Sequence, residues 1–218
     1  MADTALKGEN ISFGYGDTLV IDDLSFQLGL GEKVAVLGES GCGKSSLLYL
    51  MSGLKKPKSG RVLFQSTDLW SEKSDRAKLR RDHFGFIFQQ HFLVNYLTVM
   101  ENLLFCAVGP QSDQGKGMEL LDYLGIADYA SRLPHELSGG QRQRAAVARA
   151  LMNSPKVVFA DEPTASLDES NSDAVLSLLI DSVSQSDASL LFVTHDSRLV
   201  DAFDRVLCFP LSGGVRVD

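Results

Sequence analysis

Between positions 38 and 46 the chain reads Gly38-Glu39-Ser40-Gly41-Cys42-Gly43-Lys44-Ser45-Ser46. An apolar run, Val34-Ala35-Val36-Leu37, precedes it, and Leu47-Leu48-Tyr49-Leu50-Met51, free of Gly and Pro, follows. That order predicts a strand, a glycine loop and a helix, the context that the phosphate-loop pattern G-x-x-x-x-G-K-[ST] requires. Gly38, Gly41 and Gly43 let the backbone turn sharply and bring several N–H groups against one anion. A helix starting near Lys44 adds its unpaired amides and about half an elementary positive charge. In such a loop Lys44 reaches the β- and γ-phosphates of a nucleotide, and the Ser45 hydroxyl takes one position on Mg²⁺. A glycine turn that binds nothing has no need for Lys-Ser at the helix start.

The rest of the composition excludes several classes. A net charge of −7 and a pI near 5.1 argue against a nucleic-acid partner, which calls for a basic face. Cys42, Cys106 and Cys208 are odd in number and widely spaced, which fits neither a disulfide framework nor a metal site and suits a reducing cytosol. Met1-Ala2-Asp3-Thr4 lacks a signal peptide's basic and apolar regions. No run approaches the ~18 apolar residues of a membrane span. With 218 residues, 44% of them hydrophobic, the chain has material for one large domain with a subdomain.

Taken in order, Ile11-Ser12-Phe13 reads as a short strand, Gly14 to Asp17 as a turn, and Val20 to Leu28 as a second strand. Tyr15, on that turn, has two readings: an aromatic stacked on an adenine ring, or a core tyrosine. Lys55 to Gly60 stops the loop helix, Arg61 to Gln65 is a further strand, and Arg76 to Asp82 a solvated helical face. Phe84 to Gln90 is a strand ending in two amides; Gln89 there can ligate Mg²⁺, hold a water or merely finish the strand. Val99 to Val108 reads as a buried helix, Gly109 to Gly117 as a loop, and Met118 to Leu124 as a helix closed by Gly125.

A second anion receptor follows at Leu137-Ser138-Gly139-Gly140-Gln141. Ser138 is a good N-cap, a helix runs from Gln141 to Met152, and the glycines leave amides uncovered at its start. Two phosphate receptors in one chain hint at a nucleotide shared between subunits; the alternative is a capped helix docked on the sheet. Lys156 to Glu162 reads as a buried parallel strand carrying Asp161 and Glu162 at its carboxyl end, where ligands bind in an open α/β sheet. Buried acids need a partner, so Asp161 is expected to hold Mg²⁺ and Glu162 to act as general base for water. Leu190 to Asp196 repeats the form and places His195 at a strand end beside this site.

These motifs, in this order and spacing, resemble the nucleotide-binding subunits of ATP-binding cassette (ABC) transporters over nearly the whole length. The Leu137 to Gln141 signature followed by Arg142-Gln143-Arg144 is the most specific of them. The resemblance implies an α/β P-loop NTPase with a RecA-like parallel-sheet core, an N-terminal β subdomain and a helical signature subdomain. The catalytic core with its β subdomain would take residues 1–88 and 155–218, and the helical subdomain residues 89–154. It implies ATP and Mg²⁺ as cofactors, with Gly38, Ser40, Gly41, Cys42, Gly43, Lys44, Ser45 and Ser46 on the phosphates. It makes Tyr15 the adenine-stacking aromatic, Gln89 the Mg²⁺-sensing amide and His195 the switch on the γ-phosphate. Ser166-Leu167-Asp168 matches the loop that crosses to the other subunit. In a head-to-tail homodimer Ser138, Gly139, Gly140 and Gln141 would touch ATP held by the opposite phosphate loop. The expected partner is an integral-membrane permease, with the chain peripheral on the cytoplasmic face of the membrane.

Around Phe86 to Asn102 and Ala160 to Thr164 the sequence is most similar to exporters of the lipoprotein-release and macrolide-efflux type. Two departures, Val94 to Leu97 where relatives often place a proline and a short Gly109–Gly117 segment, bear on the membrane partner rather than on hydrolysis. A soluble ATPase of the same superfamily fits less well, because the short interval between Ser45 and Leu137 leaves no room for a coiled-coil arm. A membrane-coupled signalling ATPase that moves no substrate stays open. Leu211-Ser212-Gly213-Gly214 repeats the start of the signature, but only Val215-Arg216-Val217 follows, which suggests a turn between short strands.

Overall fold

The computed structural model describes residues 4–110 and 113–209. Strands β1 (Thr4–Tyr15) and β2 (Thr18–Gly29) form a long antiparallel hairpin. Both outrun their sequence expectation. Register shifts and the positive φ of Asn10 and Asp23 break the period-two alternation that reveals a strand, while Leu6, Ile11, Phe13, Leu24, Phe26 and Leu28 still reach one buried face. With β4 (Ser59–Phe64) and β5 (Thr67–Asp68) they make a four-stranded sheet in the order β2-β1-β4-β5. Helix α2 (Arg76–His83) follows and buries no residue, as its basic run requires.

The second sheet has the order β6-β7-β8-β3-β9 and is parallel throughout. Its strands are β3 (Lys33–Gly38), β6 (Phe84–Phe88), β7 (Val157–Asp161), β8 (Ser189–Thr194) and β9 (Arg205–Phe209). Strands covered on both faces read as continuous apolar runs, and here alternate residues feed two cores. Val157, Phe159, Leu191 and Val193 point to the side of the antiparallel sheet. Val158, Ala160, Leu190 and Phe192 point to the opposite side. Between the sheets lies α1 (Lys44–Met51), with Leu47, Leu48, Leu50 and Met51 buried. On the far face pack α3 (Val99–Phe105), α4 (Gln114–Tyr123), α5 (Gly139–Leu151) and α6 (Glu169–Gln185).

Three helix boundaries correct the sequence expectation. Helix α3 stops at Phe105 rather than Val108. Helix α4 begins at Gln114, inside the expected loop, because the Asp113 side chain accepts a hydrogen bond from the Lys116 amide (3.0 Å) as N-cap. Helix α5 begins at Gly139, so the two signature glycines are its first helical residues. The Val94 to Leu97 turn is pinned by buried Asn102, whose amide donates to Val94 O (3.2 Å) and Leu97 O (3.0 Å) and accepts from Val94 N (2.7 Å). Leu211 to Gly214 lies outside the described residues.

Candidate active site

Strands β3, β6, β7 and β8 all end on one edge of the parallel sheet, at Gly38, Phe88, Asp161 and Thr194. A cleft of about 820 Å³ opens there. The loop after β3 lines it with Ser40, Gly41, Gly43, Lys44, Ser45 and Ser46. Gln89 follows β6, Asp161 and Glu162 close β7, His195 follows β8, and Tyr15 enters from the end of β1.

The loop backbone admits few alternatives. Gly43 caps α1 at φ 109°, and a Cβ there would stand 2.6 Å from Val20 Cγ1. Lys44 is only 4% exposed, and a buried ammonium needs partners. Its Nζ donates to Gly38 O (2.8 Å) and Glu39 O (2.9 Å) and lies 3.4 Å from Glu162 Oε1. Asp161, 7% exposed, accepts from Ser45 Oγ (2.8 Å) at one oxygen and from the Tyr49 hydroxyl (2.9 Å) at the other. Burial, then the Asp161 charge and hydrogen bond, push the Tyr49 phenol up to about 12, so it is a donor at neutral pH.

Glu162 stands at φ 46°, in the left-handed region, although it precedes Pro163, where extended backbone is favoured. Such a backbone costs about 1–3 kcal/mol and is typical of functional sites. The last ladder bond, Glu162 N to Val193 O (3.0 Å), fixes the turn, and the carboxylate meets His195 Nδ1 at 2.9 Å. Beyond His195, Arg198 holds the Asp196 carboxyl below its usual range and pairs with Glu169 at the start of α6.

Tyr15 is 55% exposed, which removes the core reading; its ring packs edge-on against Phe13 (5.1 Å) and its hydroxyl lies 3.4 Å from Ser46 Oγ. The Cys42 side chain packs against the hydrophobic core and does not line the cleft. Ser138, Gly139, Gly140, Gln141 and Asp168 do not line the cleft. Ser138 and Gln141 form a capping box, Ser138 N to Gln141 Oε1 at 2.8 Å and Gln141 N to Ser138 Oγ at 3.3 Å. Asp168 caps α6, accepting from Asn171 N (3.0 Å) and Asn171 Nδ2 (2.6 Å), and these bonds lower its carboxyl pKa.

Sequence reasoning missed two contacts. Tyr49 stands one turn after Ser45 in an otherwise apolar stretch, and that shared helix face was its signal. His91 Nε2 lies 3.1 Å from Gly139 O, while Arg149 donates to His91 O (3.0 Å) and Phe92 O (2.6 Å), tying the segment after Gln89 to α5. No local pattern announces that pair.

The family model described as "ABC transporter" matches residues 21–165. The chain is 41% identical over 216 residues to the lipoprotein-releasing system ATP-binding protein LolD of Shewanella oneidensis, covering 95% of this chain and 94% of the relative. It is 40% identical over 208 residues to the putative hemin import ATP-binding protein HrtA of Staphylococcus haemolyticus, covering 93% and 94%. The dimeric post-hydrolysis state of the ATP-binding cassette MJ0796 bound to ADP and Pi superposes with a TM-score of 0.84 at 30% identity, covering 98% of this chain and 97% of that one. A phosphate loop, a strand-end acid pair and a capped signature helix on this sheet, together with these likenesses, lead to one conclusion: the chain belongs to the ABC transporter family, as an ATP-binding ATPase subunit.

Proposed function

We propose that this chain is the motor of a membrane exporter, closing as a head-to-tail homodimer around two MgATP and reopening after hydrolysis to drive a separate integral-membrane permease. The observation that carries the reading is the division of its motifs. One cleft gathers Lys44, Ser45, Asp161, Glu162 and His195, while Ser138 to Gln141 build a helix start outside it. A second copy related by a two-fold axis can bring that positive helix end to a γ-phosphate held in the first. The dimeric cassette among similar structures supports the arrangement.

In this reading Tyr15 stacks on the adenine, and the amides from Gly38 to Ser46, those of Ser40, Gly41, Cys42 and Gly43 among them, cradle the phosphates. Lys44 exchanges Gly38 O and Glu39 O for β- and γ-phosphate oxygens. Ser45, Gln89 and Asp161 carry the oxygen donors that Mg²⁺ prefers and would hold it together with phosphate and water. When bound, Mg²⁺ offsets charge that develops on the phosphates. Glu162 takes the proton of the attacking water as its oxygen bonds to the γ-phosphorus and the bond to the leaving ADP oxygen breaks. His195 holds the Glu162 carboxylate through Nδ1 and bears on the γ-phosphate through its other nitrogen. Asp168, with Ser138, Gly139, Gly140 and Gln141, meets the opposite subunit.

In this reading the described residues of 1–88 and 155–218 make up the catalytic core with its β subdomain and those of 89–154 the helical subdomain, joined near Gln89 and Pro155. Beside Gln89 a cleft of about 550 Å³ carries Phe88, Phe92 and Phe105, the last two 63% and 73% exposed. An exposed aromatic cluster is suited to a partner protein, here a permease segment. Among the described residues no helix is long and apolar enough to cross a membrane. In this reading the chain works as a peripheral subunit on the cytoplasmic face, a place that its likeness to transporter ATP-binding subunits supports. The word "releasing" in the LolD name supports export, and the word "import" in the HrtA name makes direction a matter for experiment.

The test is Glu162→Gln. It keeps ATP binding, loses about 10²–10⁴-fold in turnover, and accumulates a dimer on size exclusion with MgATP. Purified with MgATP from detergent-solubilised host membranes, it brings an integral-membrane protein with it. Retained turnover removes Glu162 as the base; recovery only from the soluble fraction, without a membrane protein, sinks the transport reading.

A further inference from the structure

Tyr49 lines the nucleotide cleft yet has no part in the roles above. It sits on α1 one turn beyond Ser45, so the two hydroxyls leave the helix on one face, and between and beside them Leu47, Leu48 and Leu50 are buried. Both hydroxyls end on one carboxylate: Ser45 Oγ on Asp161 Oδ1 (2.8 Å) and Tyr49 Oη on Asp161 Oδ2 (2.9 Å). A carboxylate pinned at both oxygens cannot rotate without breaking one of these bonds, and Asp161 is too buried for water to replace them readily. Ser45 can turn a lone pair to a metal and still donate its hydrogen to Asp161. Tyr49 donates only to Asp161 and holds the other oxygen in place.

We propose that Tyr49 is a positioning residue whose hydroxyl fixes the orientation of Asp161 and thereby sets the affinity of the nucleotide site for Mg²⁺. The inference rests on the reading of Asp161 as the acid that faces Mg²⁺. Groups that orient a metal's ligands typically contribute about 10–100-fold to metal affinity, whereas a tyrosine that merely fills space contributes to stability alone.

The experiment is a Mg²⁺ titration of equilibrium ADP binding, read with a fluorescent ADP analogue, for wild type, Tyr49→Phe and Asp161→Asn. Phenylalanine keeps the ring and its packing, so the variant folds. The expected result for Tyr49→Phe is a rise of about 10-fold or more in half-saturating Mg²⁺, with analogue affinity in EDTA unchanged. A Tyr49→Phe titration that overlays wild type, whatever its thermal midpoint, overturns the proposal while Asp161→Asn still shifts. If Asp161→Asn also overlays wild type, the reading of Asp161 itself fails.

Discussion

Replacing Gly43 by alanine probes why the phosphate loop has its third glycine. The backbone there has φ 109°, where an L side chain costs about 1–2 kcal/mol. The added Cβ would also stand 2.6 Å from Val20 Cγ1 and 3.2 Å from Phe209 Cε1, and Val20 is itself packed against the core. Overpacking of that kind costs about 1–3 kcal/mol. Together the terms destabilise Gly43→Ala by about 2–5 kcal/mol, on the order of 30- to several-thousand-fold in the folded-to-unfolded ratio. Urea unfolding with linear extrapolation reads this directly. The Val20→Ala change, at a half-buried site, costs about 1 kcal/mol alone but makes room for the new methyl. The double variant therefore recovers the overpacking part and keeps the backbone part, giving a coupling energy of about 1–3 kcal/mol. A Gly43→Ala protein within about 0.5 kcal/mol of wild type, or single effects that simply add, would refute the argument.

Tyr15→Ala should weaken equilibrium ATP binding by about 10- to 100-fold, the loss of a base–aromatic stack, while Tyr15→Phe retains the affinity; equal losses in both would assign the effect to the hydroxyl near Ser46. His91 tests the link between the segment after Gln89 and α5. Burial lowers its pKa from the ordinary 6.5, against the raising effect of its bond to Gly139 and with Arg142 and Arg149 opposing a positive ring. The neutral imidazole is thus the native form, so its contribution to stability is present above 6.5 and is lost as pH falls toward the folded value. Thermal midpoints at pH 8 and 5.5 should fall further for wild type than for His91→Gln, and parallel falls would exclude His91 from the pH response.

The motifs were legible because each is local. Gly38 to Ser46 encodes its own turn and helix start, Ser138 encodes an N-cap, and Val157 to Asp161 announces a buried strand by its unbroken apolar run. Contiguous residues carry such information because φ preferences, caps and side-chain period act within a few positions. The β1–β2 hairpin was only half legible, since bulges at Asn10 and Asp23 erase the alternation that marks a strand. Where the chain crosses itself, local information ends. Placing β8 between β7 and β3 brings Glu162 to His195 and Asp161 to Ser45 and Tyr49, partners separated by 33, 116 and 112 positions. The exposure of Tyr15, the inward turn of Cys42, the left-handed backbone of Glu162 and the grip of His91 on Gly139 are likewise consequences of packing. Chain order named the chemical groups, and sheet order, set by the crossovers that bury both faces, decided which of them meet.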